Sequence, residues 1–306
     1  MSQIKERVTG LSSDRRALLE ERLLQAHRQR WRPPTIPRRA ATEAASLSFG
    51  QEQMWFLDQL DPGTPTYNIP DVMRVSGPLK IAALEAGFRA ILSHHEVLRT
   101  RVGSVAGNPI PALNDNWEFS IRQFDLRNSP EAGREAEARR IIQEQVREPF
   151  NIAQDLTLRA ALIRLHEEQY YLLILTHHIA WDVSSRMVLY RELSSVYKSA
   201  LSGSGPAKLS DLRIQYSDFA AWQRKQLQGE IFQGHAAYWR EQLGSAAHAL
   251  ELPTDHPRKS SATSRGGKHF FSLSPSPPRK LSRSWSTLCR GMSPNLTALP
   301  GDGTGP

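Results

Sequence analysis

The 306-residue chain contains a single cysteine, Cys289. One cysteine cannot form an intrachain disulfide, and it provides no cysteine cluster for a metal site. The longest apolar run, residues 170–175, is far shorter than the roughly 20 residues that a transmembrane helix needs. The N-terminus is polar and charged and shows no signal-peptide pattern. These absences argue against a membrane protein and against export, and we expect a cytoplasmic protein.

Acidic residues are nearly missing from the C-terminal end. Residues 256–306 contain eight Lys and Arg residues and one acid, Asp302, and therefore carry most of the net charge of +8. The rest of the chain is nearly neutral, which is a poor electrostatic match for a nucleic-acid duplex. We therefore expect neither nucleic acid nor a membrane as a partner.

The chain divides into three regions, according to where the sequence has the periodicity of helices and strands. Residues 1–45 predict a leader helix over 14–30 and a Pro-rich linker, serving either as a flexible extension or as a docking element for a partner. Residues 46–273 have the regular periods of a folded domain. Residues 274–306 are rich in Ser, Pro, Gly and Arg without a sustained period, and we expect them to be disordered or to depart from the domain's pattern.

The middle region predicts an α/β fold of the α+β two-layer type, because helical and strand patterns alternate along it. Ser48 and Ser129 are the predicted caps of two of its helices. The predicted helices cover 48–57, 80–93, 131–147, 183–200, 219–226 and 232–243, and the predicted strands cover 70–77, 97–102, 117–124, 156–165 and 170–175. The turn at residues 166–169 is short enough to join the last two strands as a hairpin.

One cluster of chemically capable side chains lies between a predicted strand and a helix, in residues 176–183 with the sequence THHIAWDV. Junctions of this kind carry functional side chains in open α/β folds. His177 and His178 could transfer protons near neutral pH, and Asp182 could orient an imidazole across the turn.

Each of these residues also has a structural interpretation. Asp182 could cap the helix that begins at Val183, and His177 could be a hydrogen-bonded core histidine. A metal site would need a third and a fourth ligand, and the other pair, His94 and His95, lies at a helix end in a different context. The sequence therefore predicts no metal site.

Four segments together resemble the condensation domains of nonribosomal peptide synthetases, over about residues 11–273. The segment THHIAWDV resembles the family's HHxxxDG motif. Residues 47–57, LSFGQEQMWFL, resemble SxAQxRxWxL, residues 94–101, HHEVLRTR, resemble RHExLRTxF, and residues 216–222, YSDFAAW, resemble YxDFAxW. The order and spacing of the four motifs also agree with the family.

The resemblance implies a chloramphenicol-acetyltransferase-like lobe, the N-terminal lobe of a V-shaped pseudo-dimer with its active site in a tunnel between the lobes. It implies no directly bound cofactor. Peptidyl and aminoacyl carrier proteins, working beside adenylation domains, would present thioesters on 4'-phosphopantetheine arms. His178 would position or deprotonate the acceptor amine, and His177 would support its ring. Asp182 would pair with an arginine, while Trp181 and Val183 would line the tunnel.

The sequence departs from the family in three places. Val183 replaces the motif glycine and could narrow the tunnel or shift the loop of His178, and His94 replaces the first arginine of its motif. The later motifs IGTPVANR and QDxPFE are absent. We therefore expect the second lobe to be largely missing, as in a truncated and inactive product with a change of reading frame near Ser274.

Three other functions remain open at this point. An epimerization domain shares the HHxxxDG motif, and a degenerate chain could be a non-catalytic module that binds carrier proteins. A free acyltransferase that uses an HxxxD motif and coenzyme A is the alternative from outside the family.

Overall fold

A computed structural model describes residues 35–40, 42–202 and 209–244. The predicted leader helix, most of the 1–45 region and the 274–306 tail lie outside the described residues. Thirteen segments of regular structure, one of them a short 3₁₀ turn, follow in chain order within these ranges: α1 (Phe49–Leu60), β1 (Asn68–Ser76), α2 (Ile81–His94), a 3₁₀ turn (Glu96–Arg99), β2 (Thr100–Val105), β3 (Asn108–Leu113), β4 (Arg122–Asp125), α3 (Glu131–Arg147), β5 (Leu158–His166), β6 (Gln169–His177), α4 (Val183–Ser202), α5 (Tyr216–Gln226) and α6 (Gly229–Leu243).

A four-stranded mixed sheet with the order β1-β6-β5-β4 forms the centre of the described domain. β6 is antiparallel to both β1 and β5, whereas β4 runs parallel to β5. β5 and β6 form the predicted hairpin, in which His166 pairs with Gln169 across a two-residue turn. The α/β class is thereby confirmed.

The two central strands are buried on both faces, because successive side chains point to opposite sides of a strand. On one face, Leu158 and Leu162 of β5 pack in a cluster with Phe88 of α2 and Leu189 of α4. On the other face, Ile163 packs in a separate cluster to which α3 contributes buried residues. The sheet thus has helices on both sides, and α3 adds a cover beyond the predicted two layers.

The capping box at the start of α1 confirms the role predicted for Ser48. Its hydroxyl accepts a hydrogen bond from the backbone N–H of Gln51, and the Gln51 side chain accepts one from the Ser48 N–H. The cap predicted at Ser129 is wrong. Pro130 is the N-cap residue of α3, and no side chain caps that helix.

The strand predicted over 117–124 is also wrong in extent, since only Arg122–Asp125 form β4. Phe119 and Ile121 are buried as the alternation requires. Their backbone groups bond to side chains of α2 instead of a neighbouring strand: Arg89 donates to the Phe119 carbonyl and Glu85 accepts from the Ile121 N–H.

The sequence did not predict β3, which pairs with β2 as a separate hairpin. Pro109 and Pro111 hid this strand, because proline cannot donate to a ladder and usually argues against a strand. The turn uses Ala106 and Gly107, both with positive φ, as tight hairpin turns require.

The described helices include none that is long and apolar enough to cross a membrane.

Candidate active site

The loop between β6 and α4 carries the HHxxxD residues at the end of the sheet. β6 ends at His177, which pairs with Asn68 of β1. The backbone N–H of His178 then donates to the carbonyl of Tyr67, just before β1. Because β6 pairs with β1 on one side and β5 on the other, hydrogen bonds from both neighbours hold the strand that leads into this loop.

His177 is buried, with 3% of its surface exposed. Its Nδ1 accepts a hydrogen bond from the backbone N–H of Ile179, and its ring meets the rings of Tyr67 and Phe150 edge-on. Burial, reinforced by the charge of neighbouring His178, lowers the pKa of His177 to about 4. His177 is therefore neutral near pH 7 and supports the loop backbone, which agrees with its structural interpretation.

His178 points the other way and is exposed. Its Nδ1 lies 2.7 Å from the carbonyl oxygen of Trp181. A carbonyl can only accept, so Nδ1 carries the proton of the neutral ring and Nε2 keeps a lone pair. Nε2 of His178 is thus the basic atom that the loop offers to a bound molecule.

Asp182 caps helix α4. Its Oδ1 accepts hydrogen bonds from the backbone N–H and the hydroxyl of Ser185, while that hydroxyl accepts from the Asp182 N–H. The hydrogen bonds from Ser185 lower the pKa of the Asp182 carboxyl. The capping interpretation is confirmed. Within the described residues the partner of Asp182 is Ser185, and the arginine partner implied by the resemblance stays a prediction.

Val183 is the first residue of α4, and 85% of its side chain is exposed. The only non-glycine residue with positive φ in the described ranges is Ala106. The backbone at Val183 therefore does not need glycine for its conformation. The expected narrowing of a tunnel by this side chain stays a prediction.

A cavity of about 330 Å³ opens beside His178, and all four sequence motifs contribute to it. Three of its lining residues, His178, Trp181 and Asp182, were predicted as site residues. The other lining residues were not predicted: Gly50, Gln51, Gln53, Met54, Val97, Ile179, Ala180, Ser185 and Tyr216.

Hydrogen bonds link the four motifs around this cavity. Gln51 donates from its side chain to the carbonyl of Ile179 at 3.3 Å. Tyr216 and Ser48 join their hydroxyl groups at 3.1 Å. Gln215, directly before the motif of residues 216–222, accepts from the Glu96 N–H and donates to the carbonyl of His94 in the motif of residues 94–101. Gln51 and Tyr216 could have been predicted as site residues from the sequence, because each lies in one of the four motifs.

A buried apolar cluster lies beneath the loop and joins distant parts of the chain. It contains Leu47 and Trp55 of the first motif, Val102 of β2 and Ile179 of the loop. Loss of this packing would shift the loop and move His178 relative to the cavity.

The residues of this loop do not form a metal-ligand cluster in the described part of the chain. The group that could do so comprises His94, His95 and Glu192, on α2, its C-cap and α4. Glu192, which is distant in sequence from the histidine pair, is the third potential ligand of this group.

The family model of the condensation domain matches residues 41–290. The chain belongs to the condensation domain family. This match covers most of the chain and includes every residue that lines the cavity beside His178.

Relatives with known roles are large synthetases. A linear gramicidin synthase protein from Brevibacillus parabrevis is 40% identical over 220 residues, 72% of this chain and 3% of that protein. Phosphinothricin tripeptide synthetase PhsC from Streptomyces viridochromogenes is 35% identical over 302 residues, 98% of this chain and 27% of that protein. The chain therefore spans only a small share of the length of these relatives.

Solved structures show the same fold. The starter condensation domain of rhizomide synthetase RzmA superposes with a TM-score of 0.60 at 21% identity, over 68% of this chain and 49% of that one. The X-domain solved in complex with OxyB from teicoplanin biosynthesis gives a TM-score of 0.64 at 26% identity, over 74% of this chain and 49% of that one. The fold is that of condensation domains, and the aligned part is consistent with a single lobe.

Both the family match and the PhsC alignment extend beyond Ser274. The change of reading frame expected near that residue is not tested by them and stays a prediction.

Proposed function

We propose that this chain takes part in amide bond formation between two thioester substrates held on carrier proteins during nonribosomal peptide synthesis. The observation that carries the proposal is the cavity beside His178, which is lined by residues of all four motifs, from Gly50 to Tyr216. Residues that merely stabilise a fold need not converge on one open cavity.

The proposed chemistry needs one basic atom at the cavity. The acceptor amine attacks the donor's thioester carbonyl, a C–N bond forms, and the C–S bond breaks to release the thiol of the donor arm. Nε2 of His178, with Nδ1–H fixed on the Trp181 carbonyl, would orient the amine and take its proton. A thioester is already activated, so holding two tethered substrates together supplies much of the acceleration.

The surrounding residues would act through position. Neutral His177 holds the loop through Ile179, and Asp182 fixes the first turn of α4. Trp181 would line the path of the pantetheine arms, and carrier proteins and neighbouring adenylation domains would be the partners. In this proposal no metal or bound cofactor acts at His178.

The test is a condensation assay with two carrier proteins loaded with different aminoacyl groups. Because this chain covers 49% of the solved condensation domains, the assay uses both the chain itself and the chain joined to the second half of the matching domain from the gramicidin synthase relative. We expect the joined protein to give the dipeptide on the acceptor carrier. Failure of both proteins to form any amide would contradict the proposal.

Two further readouts of the assay separate the enzymatic alternatives. Loss of α-deuterium from the donor without amide formation would indicate epimerization. Acyl transfer from a coenzyme A thioester in the absence of carriers would indicate a free acyltransferase.

The remaining alternative is a module that binds protein without catalysis, and one observation favours it as the second candidate. The X-domain, whose solved structure is a complex with another protein, superposes with a higher TM-score than the starter condensation domain. This alternative predicts binding of a carrier or another partner with no turnover in either protein.

A further inference from the structure

The second histidine pair lies where helix α2 meets helix α4, apart from the loop of His178. Nε2 of His95 lies 2.7 Å from a carboxylate oxygen of Glu192. The rings of His94 and His95 stand edge-on, with centroids 5.0 Å apart. Ligand atoms of the three side chains all lie within 4.8 Å of one another. Two imidazoles and a carboxylate thus converge from two helices onto one point.

Close packing of the helices produces this convergence. Gly87 of α2 faces Leu193 of α4, and a Cβ at residue 87 would approach the Leu193 side chain to 2.7 Å. Glu192 precedes Leu193 and lies within reach of the last turn of α2. Because the pairing spans 97 positions, a local sequence pattern cannot reveal it.

An unpartnered nitrogen provides an independent indication of a missing ligand. Nε2 of His94 is shielded from solvent and has no hydrogen-bond partner in the described part of the chain. Buried polar atoms are nearly always satisfied, so such an atom requires an explanation. The family's second motif has arginine at this position, and the exchange for histidine creates a nitrogen that can bind a metal.

We propose that His94, His95 and Glu192 bind one divalent transition-metal ion of the zinc type. Imidazole nitrogen and carboxylate oxygen are the ligands that zinc prefers besides thiolate. Zinc bonds of about 2.0–2.1 Å place tetrahedral ligands roughly 3.4 Å apart, so rotation of the three side chains can close the observed spacing.

A neighbouring cavity leaves room for a fourth ligand. His95 also lines a cavity of about 180 Å³, which has room for a water molecule as the fourth ligand. Gln215 donates to the backbone carbonyl of His94 and so fixes the end of α2. A metal bound to Nε2 of His95 would take the place of the hydrogen between His95 and Glu192, and the neutral ring would then carry its proton on Nδ1.

The bound ion would connect the C-terminal end of α2 to the middle of α4. Helix α4 begins at the cap formed by Asp182 and Ser185, directly after the loop of His178. The metal would therefore stabilise the helix that carries one side of the candidate active site. Its binding does not depend on whether the chain forms amides.

The test is zinc binding by the full chain, freed of metal with a chelator and titrated with Zn²⁺ against a chromophoric competitor. We expect one tightly bound ion per chain and a higher melting temperature with Zn²⁺ than without. His94→Arg restores the family residue and keeps a side chain suited to this position. Glu192→Gln keeps a hydrogen-bond acceptor for His95 but removes the charge. Each should weaken zinc binding by more than about 10-fold. Mutation of residues that only hydrogen-bond to metal ligands already lowers metal affinity by about 10-fold or more, and these two variants remove a ligand itself.

Two control variants separate this site from other donors. His235 is exposed on α6, and Cys289 is the single thiol. His235→Ala and Cys289→Ser should each bind zinc as tightly as the unchanged chain. Circular dichroism confirms that each variant is folded. Absence of a stoichiometric ion, or equal affinity of His94→Arg, Glu192→Gln and the unchanged chain, would overturn the proposal.

Discussion

The chain contains two histidine pairs, and their environments differ completely. His177 and His178 end a strand, where successive side chains point to opposite faces. One ring is therefore buried and the other is exposed beside a cavity. His94 and His95 end a helix, where both rings remain near each other and near Glu192. The same dipeptide thus yields one neutral support with one free base, or two potential ligands.

This comparison shows that the element at which a pair lies decides its chemistry. At the strand end, the alternation of side chains buries His177, which supports the loop, and places His178 at the cavity. At the helix end, the backbone brings two donors to one point, and the second helix adds a carboxylate. Each of the following predictions changes one side of the comparison.

The largest expected stability effect concerns His177 and pH. Its pKa in the folded chain is about 4, against an ordinary value of 6.5. Below pH 6.5 the unfolded chain binds this proton and the folded chain does not, so acid destabilises the fold increasingly until about pH 4. The full shift corresponds to about 3 kcal/mol. In His177→Asn, the amide oxygen can take the place of Nδ1 and accept the hydrogen bond from the Ile179 N–H. Because Asn does not titrate, this variant should lose the part of the acid sensitivity that His177 causes.

Urea unfolding at a series of pH values measures this difference directly. The control is His235→Asn, because His235 is exposed on α6. An unchanged pH dependence in His177→Asn would show that His177 is not buried as a neutral ring.

The next effect concerns the pair of His95 and Glu192. The 2.7 Å hydrogen bond involves a carboxylate of low exposure, so Glu192→Ala should cost about 2 kcal/mol of unfolding free energy. Glu192→Gln should cost less, since an amide oxygen can still accept from His95. Chelator-treated protein isolates this effect from metal binding. Equal stability of the alanine and glutamine variants would contradict a direct hydrogen bond.

The cap of α4 should give a smaller effect. Asp182→Ala removes the acceptor of two hydrogen bonds from Ser185, and loss of such a cap costs about 1 kcal/mol. Because folding lowers the pKa of Asp182, its contribution is present above the ordinary carboxyl range and is lost as acid protonates the group. Ser184→Ala is the matched control on the same turn. Thermal melting at pH 7 should distinguish the two variants.

The smallest stability effect belongs to Val183. Its side chain is exposed at the first position of α4, so Val183→Gly should change the unfolding free energy by less than about 1 kcal/mol. If the side chain narrows the path of the pantetheine arm, the variant should raise the rate or the affinity for loaded carriers. The condensation assay decides this point. No change in either quantity would remove the tunnel-narrowing argument.

Local patterns predicted the parts of the fold that local forces determine. The capping box at Ser48, the hairpin between β5 and β6, and the start of α4 at Val183 all follow from residues close in sequence. The segment around Phe119 was predicted wrongly, because α2 side chains take its backbone hydrogen bonds. Two prolines concealed β3, whose pairing with β2 compensates for them.

In the candidate site, too, contacts between residues that are distant in sequence could not be predicted. His177, His178 and Asp182 were predicted as site residues from one short segment, and their functional role stays a prediction. Sequence spacing could not show that Ser185 bonds to Asp182, since this contact depends on where α4 begins. The approach of Glu192 to His95 was likewise invisible, because helix packing brings these residues together.

The most direct test of the central claim compares His178→Ala with His177→Asn in one condensation assay, using the protein joined to a second domain half. We expect His178→Ala to lose about 100-fold or more of the rate while its melting temperature is unchanged, since His178 is exposed and is the proposed base. We expect His177→Asn to keep most of the rate per folded molecule while it lowers the stability and weakens its pH dependence. Retention of the full rate by His178→Ala would contradict the account. So would a result in which each variant loses rate only to the extent that it is unfolded.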